Sequence, residues 1–443
     1  MKRRNFMTSL AATFGGGLAA SAVPRPPWRT LPRTKDGVAV RGTARNLVFI
    51  LLEGAPSHVD SFDLKTGAYT PDSLGVQTFA NGMKWPAGTM PQLAARTGAF
   101  SIVRSISAVE AVHERAIYHL LTAHRPNPAT VTEVPHMASM LSYKLGESRT
   151  VTDSLPTVIR VGNRGPDQGF LSSDHFGLTV DASGQVALLE HPFEGEQRRL
   201  ALHEGLIEQV RATQDERLHF LDFQNQAKAM MADPEIKTLF AGTEAGSFDP
   251  MASFQAQCGM AVKVLSADKG TRVIQLSMQG WDHHNNIYTD QGPFGFQNLS
   301  RAFDNGFAYL LDEMAAIPAS SGSGSLLDET LIVAAGEFGR TVGNLNTSSG
   351  RDHYPYVVPA LLAGGGIKPG RIIGETSAQG DYILDPGWSQ NRYMGINDLV
   401  ATIYSALGID WTERILDTPS GRPFEFVDSS GLGPIFEIDS LFV

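Results

Sequence analysis

The stretch Asn46 to Asp63 reads NLVFILLEGAPSHVDSFD and indicates the class of fold. Its first part, Leu47 to Leu52, is an unbroken apolar run of strand length. An alternating pattern would indicate a strand with one face in water, whereas a continuous run indicates a strand covered on both faces, as in a parallel α/β sheet. Glu53 therefore stands at the C-terminal end of a buried strand, the edge of an open α/β sheet at which ligands bind.

Two more apolar runs end in an acidic segment. Arg272 to Ser277 (RVIQLS) is followed by Asp282 in the segment GWDHHNN. Thr330 to Ala335 (TLIVAA) is followed by Glu337 in the segment GEFGRT. With helical patterns between the runs, the sequence predicts an α/β fold with a doubly wound, mainly parallel central sheet and helices on both faces. Because the carboxyl ends of parallel strands share one edge, we expect the three carboxylates to gather there.

The composition is that of a globular protein and excludes some classes of partner and of site. The chain has 443 residues, 42% of them hydrophobic, which is enough for a large buried core. It has 36 basic and 46 acidic residues and no basic run beyond the N-terminus. We therefore expect no nucleic acid partner, because phosphate binding requires clustered Lys and Arg. The single cysteine, Cys258, excludes an internal disulfide framework and a cysteine-based zinc knuckle.

The first 22 residues contain the three parts of a signal peptide in order. A charged start with the pair Arg3-Arg4 precedes a weakly apolar stretch and the small-x-small sequence Ala20 to Ala22. The segment RRNFM resembles the twin-arginine class, so the twin-arginine export machinery is an expected partner. We expect cleavage near Ala22 and a periplasmic or otherwise exported protein; the alternative for residues 1–22 is a disordered basic tail. No later segment reaches the roughly 18 consecutive apolar residues of a membrane span.

The remaining chain is predicted to be a linker and one domain. Residues 23–45 are rich in Pro and Arg without periodicity, as in a linker. The domain covers 46–443, and its segment from about 190 to 255 is polar and helix-prone, which predicts a helical cover or insertion on the sheet.

A helix is predicted to begin at or near His113. Ala116 and Leu120, with Ile117 and Leu121 slightly off phase, form an apolar stripe at helical spacing. The unpaired N–H groups and the dipole of a helix N-terminus suit an anion or a nucleophile. The alternative is that His113 is only a helix cap or a surface residue.

Imidazoles follow each of the three acidic strand ends. His58, His284 and His353 stand close behind them in sequence. Carboxylates and neutral imidazoles are the ligands that zinc or manganese selects where thiolates are absent. Acidic residues at strand ends also serve turns, and an isolated histidine is more often a surface group than a ligand. Their joint placement at one sheet edge favours a site for a divalent ion, which we expect to be zinc, manganese or calcium.

The segments SHVDSFD, GWDHHNN, GEFGRT and GRDHYP together resemble a large bacterial family of exported proteins catalogued as domain of unknown function 1501. The frame Asn46 to Glu53, the helix at His113 and the segment Thr330 to Gly339 resemble the sulfatase branch of the alkaline phosphatase superfamily. The resemblance covers nearly all of the chain after residue 45. It implies a single alkaline phosphatase-like domain with metal ions and a nucleophile at a helix N-terminus.

The resemblance assigns roles residue by residue. It implies that Glu53 is the first acidic metal ligand. It places His113 where sulfatases have the nucleophilic cysteine or serine. Asp282 with His284 matches the Asp-x-x-x-His ligand pair at a shorter spacing.

Two later segments carry the remaining correspondences. Glu337 falls on the Asp of an Asp-His ligand pair, and Phe338 replaces the His of that pair. His353 matches the single late histidine ligand. With neither a hydroxyl nor a thiol at the nucleophile position, the sequence does not predict the usual covalent phospho- or sulfo-enzyme.

These residues predict an exported metal-dependent hydrolase of a phosphate or sulfate ester, whose substrate is a small-molecule or polysaccharide anionic ester. The expected metal ligands are Glu53, Asp282, His284, Glu337 and His353. The expected catalytic residues are His113, Arg340 and Arg351, and Arg340 or Arg351 would bind the tetrahedral anion bidentately. The residues expected to support the ligands from behind are His58, Asp60, His283 and Asp352.

The bound ion is expected to polarise the ester and to generate hydroxide from water, without a protein nucleophile. The alternative function is a catalytically inactive periplasmic or cell-surface binding protein that retains the fold. The missing histidine ligand and the missing nucleophile favour this alternative.

Overall fold

The structure, a computed structural model, describes residues 14–16, 30–32, 37–180 apart from 81, 151 and 163–166, 202, 205, 230, 233–240, and 249–442 apart from 431–432. Its centre is a ten-stranded, mainly parallel sheet with helices packed on both faces. The predicted doubly wound α/β class is therefore confirmed.

The strands of this sheet, in chain order, are β1 (Phe14–Gly16), β2 (Asn46–Leu52), β3 (Ser101–Ser107), β4 (Val158–Val161), β5 (His175–Val180), β6 (Val273–Met278), β7 (Thr330–Ala335), β8 (Val358–Ala363), β9 (Ile372–Ile373) and β10 (Met394–Gly395). In space their order is β1-β5-β4-β6-β2-β7-β8-β3-β9, with β10 also beside β3. The strands β5, β4, β6, β2 and β7 run parallel, whereas β8 is antiparallel to both of its neighbours. The carboxyl ends of β6, β2 and β7 consequently lie side by side.

The helices are α1 (Pro91–Ala94), α2 (His113–Thr122), α3 (Met137–Leu145), α4 (Pro234–Leu239), α5 (Pro250–Ser266), α6 (Phe296–Ala316) and α7 (Ile396–Ala406). The short strands outside the sheet are Thr30–Pro32, Val76–Thr78, Lys84–Pro86, Gly339–Arg340, His353–Tyr354, Glu375–Thr376, Ile383–Asp385, Glu413–Ile415 and Phe424–Glu425. The 3-10 turns are His58–Asp60, Asp72–Leu74, Gly146–Ser148 and Asp439–Leu441. The helix predicted to begin near His113 is α2.

The continuous apolar run of β2 fills two cores. Leu47, Phe49 and Leu51 pack on one face of the sheet with residues of α2, α3 and α7. Val48, Ile50 and Leu52 pack on the other face with residues of α5 and α6. None of these six side chains is more than 1% exposed. Burying each of them stabilises the fold by about 1.5–3 kcal/mol, which explains why every position from Leu47 to Leu52 is apolar.

Part of the predicted linker packs on the domain. The backbone N–H groups of Arg41 and Gly42 donate to the Ser405 carbonyl at 3.1 and 2.9 Å, near the C-terminal end of α7. Of the predicted signal peptide the structure describes only 14–16, and most of the segment from 190 to 255 lies outside the described residues. Their roles therefore stay predictions. Among the described residues, no helix is long and apolar enough to cross a membrane.

Candidate functional site

Three loops meet at the carboxyl ends of β2, β6 and β7. We call residues 53–63, 279–290 and 336–357 the first, second and third loop. Gly54 of the first loop has φ +103°, and a Cβ there would lie 2.6 Å from the backbone nitrogen of Asp282. A Cβ on Gly350 of the third loop would lie 2.0 Å from the carbonyl carbon of His284. Glycine at these two positions therefore allows the backbones of the loops to touch.

Three imidazoles converge on one carboxylate oxygen, and we call these four side chains the His–Asp cluster. Asp282 Oδ1 lies 3.0 Å from Nε2 of His284, 3.3 Å from Nε2 of His113 and 3.6 Å from Nε2 of His353. The Nε2 atoms of His284 and His353 are 2.9 Å apart. His113, Asp282 and His353 each offer a ligating atom, and these atoms all lie within 4.8 Å of one another. The His113 side chain is 22% exposed and that of Asp282 46%, so solvent reaches the cluster.

The other nitrogen of each ring faces a group that only accepts hydrogen bonds. The pairs are His113 Nδ1 with Glu337 Oε1 (2.6 Å), His284 Nδ1 with Asp352 Oδ1 (2.8 Å) and His353 Nδ1 with the Ala111 carbonyl (2.6 Å). From these partners we assign the ring proton to Nδ1 in all three histidines. Each Nε2 then presents a lone pair, and His113 Nε2 makes no hydrogen bond despite its 3.3 Å approach to Asp282.

The donor set fits a transition-metal ion. Three imidazole nitrogens and a carboxylate oxygen are zinc or manganese ligands, and metal-binding histidines usually donate their second N–H to a carboxylate or a backbone carbonyl. Calcium fits less well because it takes oxygen ligands almost exclusively. Among the described residues, Arg340 is the hydrogen-bond donor beside the cluster. Its Nη2 donates to Asp282 Oδ1 at 2.5 Å, and its Nη1 lies 3.4 Å from His284 Nε2.

Burial, hydrogen bonds and neighbouring charges shift the pKa values of Asp282, His353 and His113. Burial raises the pKa of Asp282, but the hydrogen bond and the charge of Arg340 outweigh burial and bring that pKa below its usual value. Burial, with the nearby cation Arg340, lowers the pKa of His353. Burial also opposes protonation of His113, but its bond to Glu337 and the charges of Glu337 and Asp282 raise the pKa of His113 above its usual value. Asp282 ionised and His353 neutral are the forms that bind metal.

Glu337 lies behind His113. Its Oε1 accepts from His113 Nδ1 and, at 3.0 Å, from the backbone N–H of Gly54. Its Oε2 is buried and makes no hydrogen bond. Glu53 follows β2 but is not part of the group of ligating atoms within 4.8 Å. Both glutamates were expected as direct ligands; the geometry makes Glu337 a positioning group for His113 and does not place Glu53 in the cluster.

The two arginines expected to bind the anion are buried. Arg351 is fully buried and its Nε donates to Asp60 Oδ2 at 2.5 Å. Arg340 is 1% exposed and donates to the carbonyls of Ala55 at 2.9 Å and Gly54 as well as to Asp282. The expectation that Arg351 clamps an anion is therefore corrected, since its guanidinium faces no solvent. Arg340 contributes a positive charge beside the cluster but holds its donors on protein oxygens.

The residues expected to support the ligands from behind make different contacts. Asp352 binds His284, as described above. His58 is fully buried, and its Nδ1 accepts from the backbone N–H of Arg340 at 3.2 Å. His283 turns away from the cluster, with its nitrogens 3.1 and 3.0 Å from the carbonyls of Trp281 and Phe294.

Two groups at the site were missed by sequence reasoning. One is the backbone carbonyl of Ala111, for which no side chain gives a signal. The other is Tyr288, whose hydroxyl donates to Asp60. Its position four residues after His284, in the same polar segment, was the signal that could have identified it.

Comparison with known proteins gives a family. The family model described as "Protein of unknown function (DUF1501)" matches residues 44–433. None of the curated proteins compared with the chain matches it.

Several solved structures are similar to the chain at low identity. A protein in the alkaline phosphatase superfamily from Vibrio parahaemolyticus is 14% identical, with 93% of this chain and 76% of that chain covered and a TM-score of 0.40. A 2-O GAG sulfatase is 12% identical, with 90% and 74% covered and a TM-score of 0.42. The lipoteichoic acid synthase LtaP from Listeria monocytogenes is 12% identical, with 90% and 78% covered and a TM-score of 0.39. At these values none of the three informs on the activity of this chain. Since the family model spans nearly the whole described domain, the chain belongs to the DUF1501 family.

Proposed function

We propose that this protein is an exported hydrolase of a phosphate or sulfate ester that depends on a divalent ion held by the His–Asp cluster. The observation that supports this proposal most strongly is the convergence of the Nε2 atoms of three imidazoles on Asp282 Oδ1 at 3.0–3.6 Å. Lone pairs this close repel one another, and a cation among them converts the repulsion into ligation. Zinc and manganese are the ions that suit this donor set.

The residues of the chain prepare the site for such an ion. Glu337, Asp352 and the Ala111 carbonyl hold the ring protons at Nδ1, so that each Nε2 is ready to bind. The fixed charge of Arg340 beside Asp282 favours the approach of an anionic ester. The ion, when bound, supplies Lewis acidity toward an ester oxygen and toward water. Because α2 begins with a histidine where related enzymes need a hydroxyl or thiol, the proposal assigns the attack to water.

One observation favours a second candidate, a metal-containing binding protein without catalysis. The guanidinium groups of Arg340 and Arg351 are buried and hydrogen-bonded within the protein. Neither is therefore placed to neutralise the charge that develops on a transferring phosphoryl or sulfuryl group. Turnover of a substrate distinguishes the two candidates.

The first prediction tests the ion and the activity together with the variant His353→Ala. Removing one imidazole should weaken zinc or manganese binding by more than about 100-fold, because loss of a supporting partner alone costs 10–100-fold. The full-length protein is assayed for metal content by mass spectrometry and for hydrolysis of p-nitrophenyl phosphate, bis-p-nitrophenyl phosphate and p-nitrophenyl sulfate. We expect the wild-type protein to contain the ion and hydrolyse one of these esters, and His353→Ala to do neither.

The matched control is His175→Ala. His175 opens β5, which runs parallel to the central strands, so it lies at the opposite edge of the sheet from the cluster. The His175→Ala variant should keep the metal content and the activity of the wild type. A wild-type protein that binds neither zinc nor manganese, or a His353→Ala variant with unchanged metal content, would contradict the proposal. Bound metal without hydrolysis of any ester would support the second candidate function, a metal-containing binding protein without catalysis.

A further inference from the structure

We infer that the carboxylate of Asp60 anchors all three loops and so positions the His–Asp cluster for its ion, an inference that rests on the proposed metal site. Asp60 belongs to the first loop and is fully buried. It accepts hydrogen bonds from Ser57 Oγ of its own loop at 2.5 Å, from the hydroxyl of Tyr288 in the second loop, and from Arg351 in the third loop. One carboxylate thus connects the loops that follow β2, β6 and β7.

The contacts that reach Asp60 from the second and third loops involve residues close in sequence to two histidines of the cluster. Tyr288 lies four residues after His284, and Arg351 lies two residues before His353. Arg351 binds Asp60 through two nitrogens, with Nε 2.5 Å from Oδ2 and Nη2 3.2 Å from Oδ1. A shift of Asp60 would therefore move the backbone that carries two ligands from different loops.

Arg351 also closes the third loop on itself and on the second loop. Its Nη1 donates to the carbonyls of Thr341 and Gly343 at 2.8 and 3.0 Å. Its backbone N–H donates to the carbonyl of His283 at 2.9 Å, directly before His284. The side chain of Arg351 thus binds backbone carbonyls of the third loop, and its backbone N–H binds the second loop. Asp60 of the first loop binds the guanidinium.

Stability alone does not account for this arrangement. The attraction within a buried ion pair is largely offset by the loss of hydration, so an apolar replacement of the pair is often as stable. A fully hydrogen-bonded buried network does, however, fix the relative positions of its members. Metal ligands must be held to within about 0.5 Å of a productive geometry, and a network that joins three loops provides this precision. Asp60 and Arg351 are therefore positioning residues, and neither is a ligand.

The inference is tested with Tyr288→Phe. Asp60→Asn would leave Arg351 buried without a carboxylate and would disturb folding, so it is the less informative variant. Tyr288→Phe keeps the ring and removes one donor to Asp60. The full-length protein is stripped of metal and titrated with Zn²⁺ against a chelator of known affinity. Loading with Co²⁺ then gives a visible absorption spectrum that depends on the geometry of the ligands.

Thr402→Val is the matched control. Thr402 is fully buried in α7, a helix that contributes no residue to the cluster, and its hydroxyl donates to the Asp398 carbonyl at 2.7 Å and accepts from the Ile438 N–H at 2.8 Å. Both substitutions remove a hydroxyl that is hydrogen-bonded within the protein, with nearly constant side-chain volume. We expect Tyr288→Phe to weaken Zn²⁺ binding by at least about 10-fold and to change the Co²⁺ spectrum, and Thr402→Val to leave both as in the wild type.

The outcomes separate this inference from the proposed function. If the wild-type protein binds Zn²⁺ and Tyr288→Phe matches it in affinity and in Co²⁺ spectrum, the positioning role is wrong while the metal site stands. If Thr402→Val weakens Zn²⁺ binding as much as Tyr288→Phe, the effect is one of general stability and the inference is overturned. A wild-type protein without affinity for either ion overturns both.

Discussion

At the scale of single residues, the direction of a side chain decides its role more than its type. The adjacent histidines His283 and His284 differ completely: the first binds backbone carbonyls and the second belongs to the cluster. Phe338 stands where the resemblance predicts a histidine ligand. Its ring lies 4.8 Å from the ring of His113 and 4.6 Å from that of His353. It therefore forms an apolar wall against two imidazoles of the His–Asp cluster.

Gly350→Ala tests the close approach of two loops. The added Cβ would meet the backbone of His284 at 2.0–2.1 Å, so the second and third loops must separate. We expect a loss of about 1–3 kcal/mol in the free energy of unfolding, as for other overpacked sites, and weaker Zn²⁺ binding. Chemical denaturation and metal titration measure the two effects.

Gly98→Ala is the control for that substitution. A Cβ at Gly98 meets nothing within 4 Å, so its effect should stay within about 0.5 kcal/mol. If Gly350→Ala behaved like Gly98→Ala in both measurements, the described approach of the loops would be wrong.

At the scale of elements, α7 is hydrogen-bonded to the second half of the helix that carries His113. His119, in the middle of α2, is 3% exposed and its Nε2 donates to Asn397 Oδ1 of α7 at 2.7 Å. Asn397 Nδ2 in turn donates to the carbonyl of Ala123 at the end of α2. These bonds join α7 to the middle and to the C-terminal end of α2, away from His113 at its first position.

Because His119 is buried in its neutral form, the free energy of unfolding depends on pH through this residue. Burial is the largest effect and lowers the pKa of His119 from 6.5 to about 4, although the bond to Asn397 opposes it. The unfolded chain therefore takes up a proton on this residue at a higher pH than the folded one. Its contribution to stability is complete above pH 6.5 and is lost as the pH falls toward 4, by up to about 3 kcal/mol.

His119→Gln should reduce this acid sensitivity. The glutamine keeps a donor for Asn397 but does not titrate, so the variant is expected to lose less unfolding free energy than the wild type between pH 7 and pH 4.5. Denaturant unfolding at several pH values measures both curves. Parallel curves for the two proteins would show that His119 is not the titrating group.

At the scale of the whole molecule, the sheet brings together segments that are far apart in the chain. The strands β6, β2 and β7 are neighbours in space, although their sequences begin at residues 273, 46 and 330. The cluster therefore exists only in the folded chain, and an ion that binds it must stabilise the fold.

Metal binding should raise the stability of the wild-type protein in a defined region. At a Zn²⁺ concentration 100 times the Kd, the free energy of unfolding should increase by about 2.7 kcal/mol. Hydrogen exchange should slow in the three loops more than in the rest of the described chain. His353→Ala, under the same conditions, should show neither change; an equal increase in that variant would assign the stabilisation to other Zn²⁺ sites.

Local sequence patterns were enough to predict the fold class and the edge of the sheet at which the candidate site lies. Continuous apolar runs can be buried only between two layers, so three such runs predicted the central strands, and the acidic residues behind them marked the carboxyl ends. The spacing of Ala116 and Leu120 predicted a helix, and this placed His113 at its beginning. These features are local, because the periodicity of a segment fixes its own buried face.

Which of the polar groups meet depends on contacts that form only in the folded chain. Glu337 was expected as a ligand and instead supports His113, and Arg351 was expected at the anion and instead binds Asp60. Both outcomes depend on contacts between residues separated by 224 and 291 positions, which no local pattern encodes. The ring proton of each histidine is likewise set by an acceptor on another segment, and one of these acceptors is a backbone carbonyl that every residue possesses. The sequence supplies the groups, and the packing of the loops determines the atoms that they turn toward one another.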